Sequence, residues 1–113
     1  MDCLFCKIIE GKIPSAPVWS DEWCYAFKDI NPQAPVHVIV VPRAHVESAD
    51  GIYEGNSVYV AKIFEAIPKI AKELDLGKGY RVITNIGEHG CQSVKHLHFH
   101  LLGGTQLPDR MAN

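Results

Sequence analysis

Apolar and polar residues alternate along residues 95–102, which read Lys-His-Leu-His-Phe-His-Leu-Leu. Successive side chains of an extended strand point to opposite faces, so this period of two predicts a strand. His96, His98 and His100 then share one face, while the apolar residues between them face a core. Half of the chain's six histidines lie on that one predicted face.

Two longer patterns fix the centre of the predicted fold. Residues 36–42 are apolar and β-branched almost throughout, which predicts a central strand that is buried on both faces. Along residues 58–76, apolar residues recur at i, i+3, i+4 and i+7, which predicts a long amphipathic helix. Pro68 falls inside this helix, and because the apolar period continues past it, we expect a kink there rather than an end.

Weaker patterns predict the remaining elements. The apolar residues within 4–10 have helical spacing and are followed by Gly11, which predicts a short helix. The other segments with strand-like composition are residues 18–20, 23–28 and 80–85. Strands in runs with few helices predict an α+β fold, in which a short N-terminal helix and a long central helix lie on one face of an antiparallel sheet of about five strands.

Length and charge narrow the classes of protein that fit. The 113 residues suffice for one domain, predicted over 1–113, with a core at about 3–104 and a short polar tail at 105–113. The formal net charge is −2 and there is no long basic run, which argues against nucleic-acid binding. No apolar run approaches the roughly 20 residues that span a bilayer, and the first residues lack a signal-peptide pattern. We therefore expect a cytoplasmic protein that does not bind membranes.

Two residue types suggest chemistry. Cys3 and Cys6 form a Cys-x-x-Cys pair, which in a reducing compartment is typical of half a metal site or of a redox pair. A redox pair usually follows a strand, and no strand precedes this one, so a metal is favoured over a redox pair or over two thiols that simply pack in the helix.

The row of histidines predicts metal binding or proton and phosphoryl chemistry, because the imidazole pKa of about 6.5 lies near neutrality. The alternative is an exposed polar face of a half-buried strand.

Several motifs together resemble the histidine triad (HIT) family, in its Hint-type branch and in a zinc-containing, bacterial-like form. The signature His-Leu-His-Phe-His-Leu-Leu is preceded by Gln-Ser-Val and followed by Gly-Gly. Asn85 with Gly87, the segment 27–37 and the opening Cys-Leu-Phe-Cys-Lys-Ile-Ile-Glu-Gly-Lys-Ile-Pro also match. The resemblance covers about residues 3–104 and implies a HIT-like fold.

This resemblance implies a nucleotide-binding hydrolase or transferase that acts at the α-phosphate of purine nucleotide conjugates. The implied activity is that of a nucleoside phosphoramidase, which releases AMP or GMP through a nucleotidyl-histidine intermediate. By resemblance, His98 is the nucleophile, and His100 contacts the phosphate and helps the leaving group to depart. Because the attacking nitrogen must be unprotonated, we expect the other ring nitrogen of His98 to donate to an acceptor such as a backbone carbonyl.

The resemblance also implies the nucleotide contacts. Asp29 matches the acid that binds both ribose hydroxyls, although an aspartate before Asn-Pro can also serve only to form a turn. The phosphate oxygens would be held by backbone N–H groups around Gln92 and Ser93, by the Ser93 hydroxyl and by the Asn85 amide. The implied base pocket is apolar, and its members could equally be ordinary core residues. They are Leu4, Phe5, Ile8, Ile13, Phe27 and Ile30.

A structural zinc ion is the implied cofactor, and a closed site needs four ligands. The residues at the matching positions are Cys3, Cys6, His45 and His96. Zinc would divide the triad, because His96 would be structural while the other two histidines react. If no zinc binds, His96 and His37 instead form a hydrogen-bonded relay that orients His98, which adds His37 to the predicted catalytic residues.

The resemblance further implies a homodimer that meets through the long helix and the strand at 80–85.

Two features depart from the pattern of the Hint-type branch. Cys91 stands where a glycine is common, and a side chain restricts the backbone there if a positive φ is needed. Residues 105–113 contain no tryptophan, whereas the tail of this branch often carries one beside the partner's site. This second departure leaves the leaving-group preference open.

Three other functions fit parts of the pattern. One is hydrolysis of dinucleoside polyphosphates by the same family. Another is a metallohydrolase that uses His96, His98 and His100 as one metal site, although the Gln-Ser-Val before the triad and the Gly-Gly after it favour the first interpretation. The third is a nucleotide-binding scaffold without turnover.

Overall fold

Seven helices and strands build the fold in a computed structural model that describes residues 3–112. Met1, Asp2 and Asn113 lie outside the described residues, and with them the ends of the predicted domain 1–113. The elements in chain order are α1 (Leu4–Ile9), β1 (Pro17–Ser20), β2 (Cys24–Lys28), β3 (Val36–Pro42), a 3₁₀ turn (Ala49–Gly51), α2 (Val58–Glu73), β4 (Arg81–Ile83) and β5 (Phe99–Gly103). The predicted α+β fold, with one short and one long helix, is confirmed.

The five strands form one antiparallel sheet in the order β1-β2-β3-β5-β4. β3 lies at the centre with the bounds predicted from its apolar run, and every residue after its first is buried. In its pairing with β5, Ile39 lies opposite His100, and His37 lies opposite Leu102. His37 and His100 are therefore diagonal neighbours on one face of the sheet.

The two helices lie on opposite faces of this sheet, so the prediction of helices on one face is wrong. On one face, Ala26 and Val40 belong to a buried cluster that includes Ile63 of α2. On the other face, Phe27 belongs to a cluster with Phe5 of α1. Because β2 and β3 are apolar on both faces, each face needs a cover, and the short helix supplies the second one.

Helix α2 continues through Pro68, as predicted, but ends at Glu73 rather than at residue 76. Pro68 has no N–H to donate to the carbonyl of Phe64. Both residues are exposed, so water can donate to that carbonyl instead, and the helix does not need to stop. No helix within residues 3–112 is long and apolar enough to cross a membrane.

The histidine strand is shorter than the sequence predicts, because β5 begins only at Phe99. His96 and His98 precede it, and the N–H of Leu97 donates to the carbonyl of Val46 instead of joining the ladder. The alternation nevertheless persists, since Leu97 is buried in the cluster under α2. The predicted strand at 80–85 likewise shortens to Arg81–Ile83.

Candidate active site and metal centre

The ring of His98 is held in one tautomer by its own chain. Its Nδ1 lies 2.7 Å from the carbonyl oxygen of His96 and donates to it, as expected for a nucleophilic histidine. The neutral ring therefore keeps a lone pair on Nε2. His98 is 3% exposed, and its burial lowers the pKa of the imidazole. The ring is thus unprotonated on Nε2 near pH 7.

Two neighbours fix the position of His98. The ring of Phe5 meets the imidazole edge to face, with 4.9 Å between the ring centroids. The hydroxyl of Thr84 donates to the carbonyl oxygen of His98 at 2.7 Å. Thr84 was not predicted as a site residue, and its place beside Asn85 was the only signal in the sequence. One aromatic contact and one hydrogen bond thus hold the ring and its peptide.

His37 contacts His100, not His96, so the alternative relay between His37 and His96 is wrong. The Nε2 of His37 lies 2.8 Å from Nδ1 of His100. The backbone N–H of Gln33 donates to Nδ1 of His37 at 3.0 Å, so the proton of the neutral ring lies on Nε2. That proton is donated to Nδ1 of His100, which leaves His100 with its own proton on Nε2. Burial, followed by the neighbouring histidines, lowers the pKa of His100 to about 4.

Asp29 forms a turn and also faces this pair of histidines. One carboxylate oxygen accepts from the N–H of Asn31 at 2.8 Å, and the other lies 3.4 Å from Nε2 of His37. The N–H of Asp29 also donates to the carbonyl of His37. The next residue, Ile30, is 100% exposed, so it lies on the rim of any base pocket. Asp29 is therefore tied to β3 by its main chain and by its side chain.

The two amide side chains predicted at the phosphate site hold their own loop together. Gln92 accepts from the N–H of Gly87 and donates to the carbonyls of Glu47 and Val94. The Asn85 amide donates to the carbonyl of Gly90 at 2.7 Å. The N–H of Gln92 is also used within the loop, because it donates to the carbonyl of Gly87 at 3.0 Å. These contacts shape the segment before the triad, in which the side chain of Ser93 is exposed.

Cys91 has a φ of 60°, in the left-handed region that favours glycine. The positive φ supports the inference that the glycine common at this position is needed for its backbone conformation. Its side chain is exposed, so the thiol does not fill the interior of the site. The neighbouring Gly90 is required for packing, because a Cβ there would clash with the carbonyl oxygen of Ile86.

The apolar residues predicted to line the base pocket differ in their burial. Phe5, Ile8 and Phe27 are buried in the cluster between α1 and the sheet, so they are core residues as well. Ile13 is partly buried and packs against that cluster. Leu4 and Ile30 are exposed. A base could therefore meet the outer surface of this cluster with exposed apolar residues beside it.

The four predicted metal ligands come together at the N-terminal end of α1. Their ligand atoms lie within 4.8 Å of one another, in the set Cys3, Cys6, His45 and His96. The Nδ1 of His96 lies 3.4 Å from Sγ of Cys3, 3.5 Å from Sγ of Cys6 and 3.2 Å from Nδ1 of His45. A zinc tetrahedron with bonds of about 2.0–2.3 Å has edges of about 3.3–3.8 Å. The donor set therefore fits a zinc ion.

The hydrogen bond made by Nε2 of His96 also fits a zinc site. Its Nε2 donates to the carbonyl of Pro42 at 3.0 Å, which leaves Nδ1 unprotonated and aimed at the two sulfur atoms. Burial and the neighbouring Cys3 raise the pKa of the Cys6 thiol to about 11. A divalent cation would reverse that effect, because it stabilises thiolates.

A single metal site made of the three triad histidines does not form. Nδ1 of His98 is occupied by a carbonyl, and Nδ1 of His96 faces the cysteines. Asp29, His37 and His100 form a second compact group within 4.8 Å. The Gln33 N–H keeps a proton on Nε2 of His37, however, so that atom has no lone pair for a metal.

Comparisons with known proteins agree with this geometry. The family model described as "Scavenger mRNA decapping enzyme C-term binding" matches residues 2–112. The chain is 45% identical over 112 residues to the 14 kDa zinc-binding protein of Zea mays, over 92% of this chain and 83% of that protein.

Two solved structures are also close in fold. A HIT family hydrolase from Clostridium thermocellum superposes with a TM-score of 0.95 and 44% identity, covering 98% of this chain and 97% of that one. A histidine triad protein from Clostridium difficile superposes with a TM-score of 0.94 and 48% identity, covering 97% and 96%.

Proposed function

The chain belongs to the histidine triad (HIT) family, and from that premise we propose that it is a nucleotidyl hydrolase. Its substrates are purine nucleotide conjugates, which it cleaves at the α-phosphate to release AMP or GMP, as a nucleoside phosphoramidase does. The observation that carries the proposal is the tautomer of His98, whose Nδ1 donates to a carbonyl and whose Nε2 keeps a lone pair. The similarity to a protein named as a HIT family hydrolase supports the reaction class.

The reaction has two steps, and both use the same pair of histidines. In the first step, Nε2 of His98 bonds to the α-phosphorus while the bond from phosphorus to the leaving amine breaks. His100 donates the proton on its Nε2 to the amine as it departs, and it does so when its pair with His37 carries an additional proton. In the second step, a water oxygen bonds to phosphorus, the bond to His98 breaks, and the proton of the water returns to His100.

The nucleotide lies across the sheet surface between Asp29 and the loop before the triad. The Asp29 carboxylate accepts from the ribose hydroxyls, and the backbone N–H groups near Ser93 donate to phosphate oxygens as negative charge builds. The base lies against the buried cluster of Phe5 and Phe27, with the exposed Ile30 at its edge.

A zinc ion is the proposed cofactor, held by Cys3, Cys6, His45 and His96. Zinc in a closed four-ligand site is structural, and it would connect α1 to the segment before β5. The name of the Zea mays relative, a zinc-binding protein, supports this assignment.

A homodimer is the proposed assembly. β4 lies at the edge of the sheet, and α2 exposes apolar surface at Val58 and at Phe64, which is 49% exposed. An unpaired sheet edge and exposed apolar surface on a helix are each suited to contact with a second copy of the chain. Size-exclusion chromatography with light scattering should give twice the monomer mass at micromolar concentration, and the monomer mass would contradict this proposal.

Turnover of an adenosine phosphoramidate tests the proposed activity. Wild type should release AMP, His98→Ala should release almost none, and both should bind AMP with similar affinity. Acid quenching of the wild type should trap a nucleotide on His98. Equal turnover by both proteins would overturn the assignment of the nucleophile. Binding without product in the wild type would instead indicate a nucleotide-binding scaffold.

A further inference from the structure

In the absence of substrate, one proton lies between the rings of His37 and His100. The N–H of Gln33 keeps Nδ1 of His37 unprotonated, so Nε2 of His37 donates across 2.8 Å to Nδ1 of His100. Both rings are neutral in this arrangement. A neutral imidazole is a very weak acid, so His100 can give a proton to a leaving amine only when the pair carries an additional proton.

That additional proton creates a conflict at the contact. With it, Nε2 of His37 and Nδ1 of His100 would each carry a hydrogen, and the two N–H groups would face one another at 2.8 Å. An N–H group is a donor only, so the protonated pair needs a nearby acceptor. A buried positive charge also needs a counter-charge.

Asp29 supplies both the acceptor and the charge. One of its carboxylate oxygens lies 3.4 Å from Nε2 of His37, and a carboxylate oxygen lies within 4.8 Å of one ring nitrogen of each histidine. The carboxylate is held in place, because its other oxygen accepts from the N–H of Asn31. Within the described residues, the charged or titratable groups that act on the pair are Asp29 and His98, and of these only Asp29 favours its protonation.

We propose that Asp29 is the positioning residue for proton delivery: it accepts from the protonated His37–His100 pair, which then gives a proton to the leaving group. This inference rests on the proposed function and adds a second task to the ribose contact. It predicts that loss of the Asp29 charge slows departure of poor leaving groups, even when the substrate has no ribose hydroxyls to bind.

Asp29→Asn separates the two tasks when it is combined with altered substrates. An amide keeps an oxygen that accepts from the N–H of Asn31, so the turn is preserved, but the charge is lost. The first substrate is an alkylamine phosphoramidate of 2′,3′-dideoxyadenosine, which lacks both ribose hydroxyls. The second is a nitrophenyl ester of the same nucleotide, whose phenolate leaves without a proton. Asp109→Asn removes the same charge from the exposed tail and is the control.

On the alkylamine substrate, we expect Asp29→Asn to lower kcat about 100-fold with little change in KM, as removal of a proton donor does. The high-pH limb of its rate profile should move about one pH unit lower, because an opposite charge no longer favours the protonated pair. On the phenolate substrate, kcat should change by less than about threefold. Asp109→Asn should match the wild type throughout. Equal kcat for wild type and Asp29→Asn on the alkylamine substrate would overturn the inference.

A measurement without substrate keeps the two proposals distinguishable. If the wild type does not cleave the adenosine phosphoramidate itself, the proposed function fails, and nitrogen-15 NMR of the His37 and His100 rings still tests the role of Asp29. We expect the pair to titrate about one pH unit lower in Asp29→Asn than in the wild type. Coincident titrations would overturn the inference whatever the activity.

Discussion

The Nδ1 of His98 lies 2.7 Å from the carbonyl oxygen of His96, so one proposed zinc ligand holds the proposed nucleophile through its main chain. The ring of His96 is fixed from both sides, by the carbonyl of Pro42 and by the sulfur atoms of the cysteines. Any displacement of His96 therefore moves the acceptor that sets the tautomer of His98. The proposed metal centre and the proposed reaction centre are thus joined by one short segment.

Cys6→Ser tests that coupling. Removing a ligand should weaken zinc binding by more than about 100-fold, lower the thermal unfolding midpoint and reduce kcat about tenfold. Metal analysis of the purified protein, thermal unfolding and turnover of the phosphoramidate measure the three effects. Cys91→Ser, which changes an exposed thiol in another loop, should keep one zinc per chain. Equal zinc content in both variants would refute the ligand assignment.

Thr84 should affect turnover more than substrate binding, because its hydroxyl donates to the carbonyl of His98. In Thr84→Val the carbonyl loses this donor, which should cost about 1–3 kcal/mol of stability and lower kcat several-fold. Thr84→Ser keeps a hydroxyl and should retain most of both. Urea unfolding and steady-state kinetics give the two readouts. A valine variant as active and as stable as the serine variant would show that the bond is unimportant.

Cys91→Gly should stabilise the protein by up to about 1 kcal/mol. A left-handed backbone costs a side-chain residue about 1–2 kcal/mol, and the greater freedom of glycine in the unfolded chain offsets part of the gain. Cys91→Ala is the matched control, because it removes the thiol but keeps the Cβ, so it should give no such gain. The comparison uses urea unfolding midpoints. The same midpoint for both variants would show that the φ of 60° carries no cost.

The buried histidines should make the free energy of unfolding depend on pH. Burial lowers the pKa of His37, and that of His100 to about 4, whereas both are near 6.5 in the unfolded chain. Below about pH 6.5 the unfolded chain therefore binds more protons than the folded chain does. The free energy of unfolding is highest above that pH and declines as the pH falls towards 4. Urea midpoints at about pH 7.5 and 5 should differ in this direction, and less so for His100→Gln. A midpoint that rises on acidification would contradict this assignment.

The sequence predicts those parts of the fold that depend on local pattern. The β-branched run gave the bounds of β3, and the apolar period gave the start of α2 and its passage through Pro68. The bounds of β5 could not be predicted in this way. His96 and His98 leave the ladder because Leu97 pairs with Val46, and no periodicity in either segment signals that contact.

For the site, too, local pattern was predictable and long-range pairing was not. Residue types and motifs indicated Cys3, His45 and His96 as ligands, and the structure brings them together. The pairing of His37 with His100 depends on the register between two strands that are far apart in the chain. Gln33 contacts the ring of His37 through its backbone N–H, so the identity of its side chain does not signal that contact. The cytoplasmic location and the roles in catalysis stay predictions.

The distance in sequence between Cys3 and His96, 93 residues, has a consequence for synthesis of the protein. Cys3 and Cys6 leave the ribosome first, but the other two proposed zinc ligands arrive with residues 45 and 96, and the proposed nucleophile, His98, follows two residues later. On this assignment, a chain that stops before residue 96 has neither the full set of ligands nor the nucleophile. Assembly of the proposed site is therefore a late event in synthesis.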